Sequence, residues 1–259
     1  MGTNSRDWDA SAYDRIAAPM TRRGVAILDR LTLGGDERVL DAGCGTGRVT
    51  AALLERLPRG SVVALDGSPS MIDQARTVLG DDPKLEFVVA DLGMPLTISP
   101  VDAIISTSTF HWVPNHAALY ANLAAVLEPG GQLVVDCGGA GNIASVREAM
   151  RAVGESWTPW TFPTPEEERS NLEAAGFDVE AIWLEPDPVD LEPKTLETYL
   201  LTVILGAHLE RLPEPERDPF VKAVAKRMPR HIDYVRLNFV ARHRASDTAT
   251  PRHLIVKGV

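Results

Sequence analysis

Three closely spaced glycines, Gly43, Gly45 and Gly47, separate a short apolar run from a helical pattern in the segment 39–50, which reads VLDAGCGTGRVT. Glycine has no Cβ, so these positions predict a sharp turn from strand to helix at which a ligand lies against backbone N–H groups. The segment is the most informative one for chemistry. Its spacing and its neighbouring charge narrow the choice of ligand.

The spacing argues against a dinucleotide. The fingerprint G-x-G-x-x-G would need its third glycine where Arg48 stands, whereas this chain has G-x-G-x-G. Asp41, at the end of the preceding apolar run, adds a carboxylate that would repel a pyrophosphate and attract an ammonium or sulfonium group. S-adenosylmethionine carries both cations, and an NAD-dependent dehydrogenase is accordingly disfavoured.

Acidic residues follow the next two apolar runs. Asp66, followed by Gly67, stands about 20 residues beyond the glycines, where a strand-end carboxylate grips the hydroxyls of a ribose. Asp91 ends the third run and can accept a hydrogen bond from an adenine amino group. Leu92 and Met71 would then cover the two faces of the adenine ring.

These features, taken in order, resemble the class I S-adenosylmethionine-dependent methyltransferases. The resemblance runs from about residue 39 to residue 137 and includes the glycine loop, the acidic residue after the second strand, the Ala-Asp-Leu at 90–92 and the L-E-P-G-G at 127–131. The segments WDASAY at 8–13 and FHWVPNH at 110–116 are similar to the trans-aconitate methyltransferase group of small-molecule methyltransferases. That group has basic residues near its N-terminus. In this chain they would align with residues 20–23, where only Arg22 fits well.

The resemblance implies an α/β fold. It predicts a Rossmann-like, seven-stranded sheet, mostly parallel with the last strand antiparallel, and helical cap insertions. It also implies S-adenosylmethionine as cofactor and S-adenosylhomocysteine as product. The expected cofactor-binding residues are Asp41, Gly43, Cys44, Gly45, Gly47, Asp66, Gly67, Met71, Asp91, Leu92 and Thr107.

Methyl transfer from a sulfonium depends mainly on alignment of the nucleophile and exclusion of water. His111 follows the fourth apolar run, where the methyl group is expected to emerge, and is the candidate general base for a hydroxyl acceptor; a carboxylate needs no base, and His111 would then be a wall residue. The expected substrate-binding residues are Tyr13, Arg22, Phe110, Trp112, Trp157 and Trp160.

Short apolar runs alternate with helical stripes, which is typical of a parallel sheet covered on both faces by helices. Ligands bind such sheets beyond the carboxyl ends of the strands. The antiparallel strand is expected at 234–242, although 253–259 also qualifies, and 195–212 reads as one long helix. We expect an N-terminal helical arm at 1–37, a cofactor-binding core at 38–142, and at 143–259 a lid with the strands that complete the same sheet.

Composition restricts the partners. The net charge is −10, with 26 Lys and Arg against 36 Asp and Glu, so a nucleic-acid partner is not expected. No apolar run approaches the roughly 20 residues that cross a bilayer, and no signal pattern begins the sequence, which favours a cytoplasmic protein without a membrane partner. The two cysteines suggest neither a metal site nor a disulfide. Monomer and dimer both stay open.

The sequence therefore predicts an S-adenosylmethionine-dependent methyltransferase for a small molecule, by resemblance at the oxygen of a carboxylate or natural-product hydroxyl. Two alternatives stay open: transfer to nitrogen or carbon of a small metabolite, and a protein that binds the cofactor without transferring methyl.

Overall fold

A computed structural model describes residues 18–245, with the backbone alone at 18–22, 193 and 194. The strands are β1 (Arg38–Ala42), β2 (Ser61–Asp66), β3 (Leu85–Val89), β4 (Val101–Thr107), β5 (Leu127–Gly138), β6 (Phe177–Pro186), β7 (Val189–Asp190), β8 (His231–Ile232) and β9 (Val235–His243). The α-helices are α1 (Ala18–Ile27), α2 (Arg48–Arg56), α3 (Pro69–Leu79), α4 (His116–Val126), α5 (Ala144–Ala152), α6 (Pro165–Ala174), α7 (Pro193–Tyr199), α8 (Gly206–Leu209) and α9 (Glu214–Ala225).

Seven strands form one sheet in the order β3-β2-β1-β4-β5-β9-β6. Strands β1 to β5 pair in parallel, and β9 runs antiparallel to both of its neighbours, β5 and β6. The predicted fold is confirmed, as is the assignment of 234–242 to the antiparallel strand, which is β9. The other candidate, 253–259, lies outside the described residues.

The centre of the sheet is apolar because helices cover both of its faces. Four of the five residues of β1 and four of the six residues of β2 are buried, as expected for parallel strands. Val49 and Leu53 of α2 pack with Leu57 on one face, and Leu119 and Leu123 of α4 pack on the other. The carboxyl ends of β1, β2 and β4 are thereby held side by side.

A second apolar cluster lies beyond the carboxyl ends of the strands. It is built from α5, the aromatic loop 157–163, the segment 196–209, α9 and β8. The predicted long helix 195–212 is interrupted: a π-helical turn at Leu200–Ile204 follows α7, and the Leu205 N–H donates to the Leu200 carbonyl at 2.7 Å. Among the described helices, none is long and apolar enough to cross a membrane.

Candidate functional site

A cavity of about 980 Å³ opens at the carboxyl ends of β1, β2 and β4, between the sheet and the second apolar cluster. It brings together most of the residues singled out from the sequence. Those that line it are Gly43, Gly45, Asp66, Gly67, Met71, Asp91, Leu92, Thr107, His111, Trp112, Trp157 and Trp160. These residues therefore lie around one cavity.

The loop after β1 has backbone conformations that favour glycine. Gly43 has φ +88°, and a Cβ there would collide with the side chain of Thr109. Gly45 has φ +54°, and a Cβ there would meet no protein atom within 4 Å, because the residue faces the cavity. One glycine lets the loop pass the turn after β4, and the other leaves room for a ligand.

The N–H groups of this loop are mostly engaged within the protein, contrary to the expectation that they contact the ligand. The amides of Gly43 and Cys44 donate to the Leu65 carbonyl at 2.7 and 2.9 Å, and the Gly47 amide donates to the Cys44 carbonyl at 3.0 Å. The Gly45 amide donates to Asp66 Oδ2 at 2.9 Å. What this loop presents to the cavity is therefore its shape rather than a set of vacant amide donors.

Two carboxylates line this half of the cavity in fixed positions. Asp66 accepts from the amides of Gly45 and Ser68, both at 2.9 Å. Asp91 accepts from the Gly93 amide through Oδ1 at 2.8 Å. A carboxylate has about four acceptor sites and can accept from the hydroxyl or amino group of a ligand.

Three of the expected cofactor residues do not line the cavity. Cys44 is buried against Ala64 and Ile72. Gly47 precedes α2, and a Cβ there would approach Leu79 Cδ1 to 2.8 Å, so this glycine allows α2 and α3 to pack closely. The third residue is Asp41.

Asp41 lies beneath the loop and is fully buried. Its Oδ2 accepts from the Thr50 hydroxyl at 2.7 Å, whereas Oδ1 has no hydrogen-bond partner among the described residues. Burial raises the pKa of this carboxyl to about 7; the Thr50 hydrogen bond lowers it, and the charge of Asp66 raises it. The expected direct contact between Asp41 and a cation therefore has no support in the side-chain position.

The other half of the cavity has an aromatic wall. The Trp160 and Phe162 rings stack with their centroids 6.0 Å apart and an interplanar angle of 13°, and Trp112 meets Trp160 edge-on at 5.9 Å. Trp157 lies at the opening, 36% exposed, with the guanidinium carbon of Arg211 4.0 Å from its ring centroid.

Of the remaining expected substrate residues, Phe110 is the one whose side chain is described. Phe110 does not line the cavity, because its ring is fully buried in the core and packs edge-on against Tyr120 at 6.0 Å. Arg22 belongs to α1, but its side chain is outside the described residues, as is the whole of Tyr13.

His111 connects the two halves of the cavity. Its Nδ1 accepts a hydrogen bond from the Gly138 amide at 3.2 Å, so in the neutral ring the proton is on Nε2. Burial, and then the nearby positive charge of Arg236, hold the pKa of this imidazole well below its usual value. A neutral ring with Nδ1 occupied and Nε2 protonated is a hydrogen-bond donor, so the expected role as a general base is not supported by this geometry.

A buried polar network supports the turn that carries His111. Glu168 is fully buried and accepts from the Tyr120 hydroxyl and from His116 Nδ1, the latter at 2.8 Å. His116 Nε2 lies 3.1 Å from the carbonyl oxygen of Phe110, the residue before His111. The sequence indicated no role for His116 or Glu168, because their contact joins α4 to α6 across 52 positions.

Arg236 is the most important cavity residue that sequence reasoning missed. It lies on β9, directly opposite Gly138 of β5, is 4% exposed, and pairs with Asp136. Its Nη2 also donates to Ser108 Oγ at 2.9 Å. The missed signal is an arginine between Val235 and Leu237 near the start of an apolar strand, which requires a buried partner.

Backbone strain also marks this cavity. Among the described residues, Ser108 and Ile143 are the non-glycine residues with positive φ, at +56° and +48°, and both line the cavity. For a β-branched residue such as Ile143 this conformation is a genuine outlier. Strained residues cluster at functional sites, so their position is independent support for assigning the site here.

Comparison with known proteins agrees with this geometry. A family model described as a methyltransferase domain matches residues 39–131. A trans-aconitate 2-methyltransferase of Methylobacterium nodulans is 34% identical over 178 residues, which cover 69% of this chain and 67% of that protein. The Escherichia coli enzyme of the same name is 36% identical over 129 residues, and there the match spans half of each chain.

The chain belongs to the class I S-adenosylmethionine-dependent methyltransferases. Its fold is similar to that of a Haemonchus contortus N-methyltransferase in complex with S-adenosylhomocysteine, with a TM-score of 0.61 at 18% identity over 92% of this chain and 57% of that one. S-adenosylmethionine is the cofactor of this methyltransferase and S-adenosylhomocysteine its product. A small molecule is the methyl acceptor.

The described residues of the methyltransferase fit this cofactor. The space in front of Gly45, which a side chain would fill, adjoins two strand-end carboxylates at Asp66 and Asp91. Met71 and Leu92 supply apolar surface on the same side of the cavity. A ligand with hydroxyls, an amino group and an aromatic ring finds complementary groups here.

Proposed function

We propose that this methyltransferase transfers the methyl group to a carboxylate oxygen of a small molecule. The observation that carries the proposal is the state of His111, which is a neutral donor rather than a base. The carboxylates lining the cavity, among the described residues, are Asp66, Asp91 and Glu210. The first two lie on the cofactor side and Glu210 is exposed, so no buried carboxylate of the described residues lies on the acceptor side.

A carboxylate acceptor makes a base unnecessary. It is ionised at neutral pH, and its oxygen attacks the methyl carbon while the bond from that carbon to sulfur breaks, giving a neutral ester and a neutral thioether with no proton to remove. The bound cofactor supplies the electrophilic methyl group. The protein's part is to orient the oxygen and to exclude water.

The residues divide between the two ligands. Asp66 would hold the ribose hydroxyls and Asp91 the adenine amino group, with Met71 and Leu92 against the ring. Gly43, Gly45, Gly67 and Thr107 would form the wall around the methionine part. The arm at 1–37 and the lid within 143–259 would cap the core at 38–142, the strands of 143–259 would complete its sheet, and the acceptor would lie between core and cap.

His111 Nε2 has no hydrogen-bond partner among the described residues and is not fully buried by them. The His111 side chain lines the cavity. It would therefore donate to the acceptor oxygen that does not receive the methyl group. The names of the relatives with 34–36% identity support a carboxylate as acceptor. Because about half of the Escherichia coli relative is covered, acceptor identity is a proposal for this chain.

Transfer to nitrogen, carbon or a hydroxyl is the principal competing function, and cofactor binding without transfer is the other. A matched panel of 3-phenylpropanoic acid, 3-phenylpropanol and 3-phenylpropylamine separates them, because these differ only in the accepting group. We expect S-adenosylhomocysteine to form with the acid. Turnover of only the alcohol or amine would contradict the proposal, and binding without any turnover would favour the non-catalytic alternative.

Two variants test the role of His111. His111→Gln keeps an N–H donor, whereas His111→Ala removes it, so we expect Ala to lower kcat about 10- to 100-fold, the range for a hydrogen bond to a charged group. Gln should recover most of that loss. Equal loss in both variants would indicate that His111 acts as a base.

A further inference from the structure

We infer that the acceptor is an amphipathic monocarboxylate with a flat apolar body, rather than a small polyacid. This inference rests on the proposed function and specifies its substrate class. It follows from the acceptor half of the cavity, defined here as the part lined by His111, Arg236 and the side chains of the second apolar cluster. Among the described residues, its lining combines a large apolar surface with one buried pair of donors, His111 and Arg236, for an anionic group.

The apolar surface is contiguous. Side chains of the second apolar cluster that line the cavity are Trp112, Ile143, Trp160, Phe162, Val203, Ile204 and Tyr234. Stacking of Trp160 on Phe162 holds two large ring faces in one orientation. Aromatic rings offer large contact areas and prefer stacked or edge-on partners, so a flat apolar body is the shape that this wall accommodates best.

The anionic group has two donors next to each other. His111 is held by the Gly138 amide, and Gly138 lies opposite Arg236 across β5 and β9. The Nε and Nη2 groups of Arg236 are directed at Asp136, with Nη2 also on Ser108. Its Nη1 has no hydrogen-bond partner among the described residues and is not fully buried by them, and the side chain lines both this cavity and a smaller one beside Asp136 and Asn238.

The charge balance limits the number of carboxylates that the acceptor half can hold. Asp136 already neutralises much of the Arg236 charge. Arg211 is at the opening, stacked on Trp157, beside the exposed Glu210. An uncompensated carboxylate in a low-dielectric site costs several kcal/mol. Among the described residues, one carboxylate is accommodated between His111 and Arg236, whereas a second or third would find only Arg211, at the opening, as a further cation.

Binding can be measured without turnover, by titrating the full chain with acids in the presence of saturating S-adenosylhomocysteine. The probes are cinnamate, octanoate and propane-1,2,3-tricarboxylate, with Kd from calorimetry. We expect cinnamate to bind at least tenfold more tightly than the tricarboxylate, and octanoate to fall between them. Equal or tighter binding of the tricarboxylate, or no binding of cinnamate, would overturn the inference.

Tryptophan variants locate the bound acid. Trp112→Leu and Trp160→Leu should each weaken cinnamate binding roughly 3- to 10-fold, from the loss of an aromatic contact, and should leave S-adenosylhomocysteine binding unchanged. Trp183→Leu is the matched control, because Trp183 lies under Arg30 outside this cavity. The inference is overturned if the control weakens cinnamate as much as the cavity variants do.

The same experiments separate this inference from the proposed function. Cinnamate that binds as expected but is never methylated would contradict carboxylate O-methylation while leaving the acceptor class in place. Methylation of the tricarboxylate with a lower KM than cinnamate would uphold O-methylation and overturn the acceptor class.

Discussion

Replacing Asp41 by asparagine should change how the stability of the protein depends on pH. Asp41 is fully buried, and its pKa is raised from 3.8 to about 7. The folded state therefore holds this proton more tightly than the unfolded state does. The resulting contribution to the free energy of unfolding is present in full below pH 3.8 and is lost as the pH rises to about 7. Asparagine does not titrate, so the variant lacks this loss.

The size of the effect follows from the shift. Three pKa units correspond to about 4 kcal/mol over the whole range. Roughly half of it, about 2 kcal/mol, falls between pH 5.5 and pH 7. Titration of other groups is common to both proteins and cancels when the variant is compared with the parent at each pH.

Urea unfolding of both proteins at pH 5.5, 6.5, 7.5 and 8.5 measures this difference. Across this range the free energy of unfolding of the parent should fall by about 2 kcal/mol relative to that of Asp41→Asn. Above pH 7.5 this difference should change little. Thr50→Val is a matched second variant, because valine lacks the hydroxyl that donates to Asp41. Without this hydrogen bond the pKa of Asp41 should rise further, so the free energy of unfolding should continue to fall at higher pH than in the parent. A constant difference between parent and Asp41→Asn would refute a raised pKa.

Three further outcomes are expected. Asp66→Ala should weaken S-adenosylhomocysteine binding by about 1.5–3 kcal/mol, or roughly 10- to 150-fold in Kd, measured by calorimetry; an unchanged Kd would remove Asp66 from the cofactor site. Gly43→Ala should lower the free energy of unfolding by roughly 1–3 kcal/mol, because the added Cβ meets Thr109 at a positive φ, and a neutral effect in urea would contradict that packing. Glu168→Ala should cost about 3–5 kcal/mol by leaving His116 and the Tyr120 hydroxyl without their buried acceptor, whereas a loss below 1 kcal/mol would contradict the network.

Much of the fold was predictable because its signals are local. Each of the strands β1 to β5 contains a short apolar run, and all of these except β4 have a glycine or carboxylate at the end or within two residues of it. The same pattern predicted the cofactor side of the cavity, since the topology of a parallel sheet places strand ends together. Asp66 and Asp91 are found side by side for this reason, although no contact between their segments is visible in the sequence.

The acceptor side was less predictable because it depends on contacts between distant segments. Arg236 meets Asp136 across 100 positions, and the tautomer of His111 is set by an amide 27 positions away. The interruption of the helix expected at 195–212 was also missed: the run of apolar residues there continues the helical pattern, and the π turn depends on tertiary packing. Phe110 was misassigned because an aromatic residue next to a site can equally be part of the core.

The most direct test of carboxylate O-methylation is the fate of a ¹³C-labelled methyl group. The protein is incubated with methyl-labelled S-adenosylmethionine and the acid, alcohol and amine of the phenylpropyl panel, and the products are examined by NMR before and after mild alkali. We predict a labelled methyl ester of the acid, from which alkali releases labelled methanol. A label that stays on the product through alkali, as an ether, N-methyl or C-methyl group, would contradict the account.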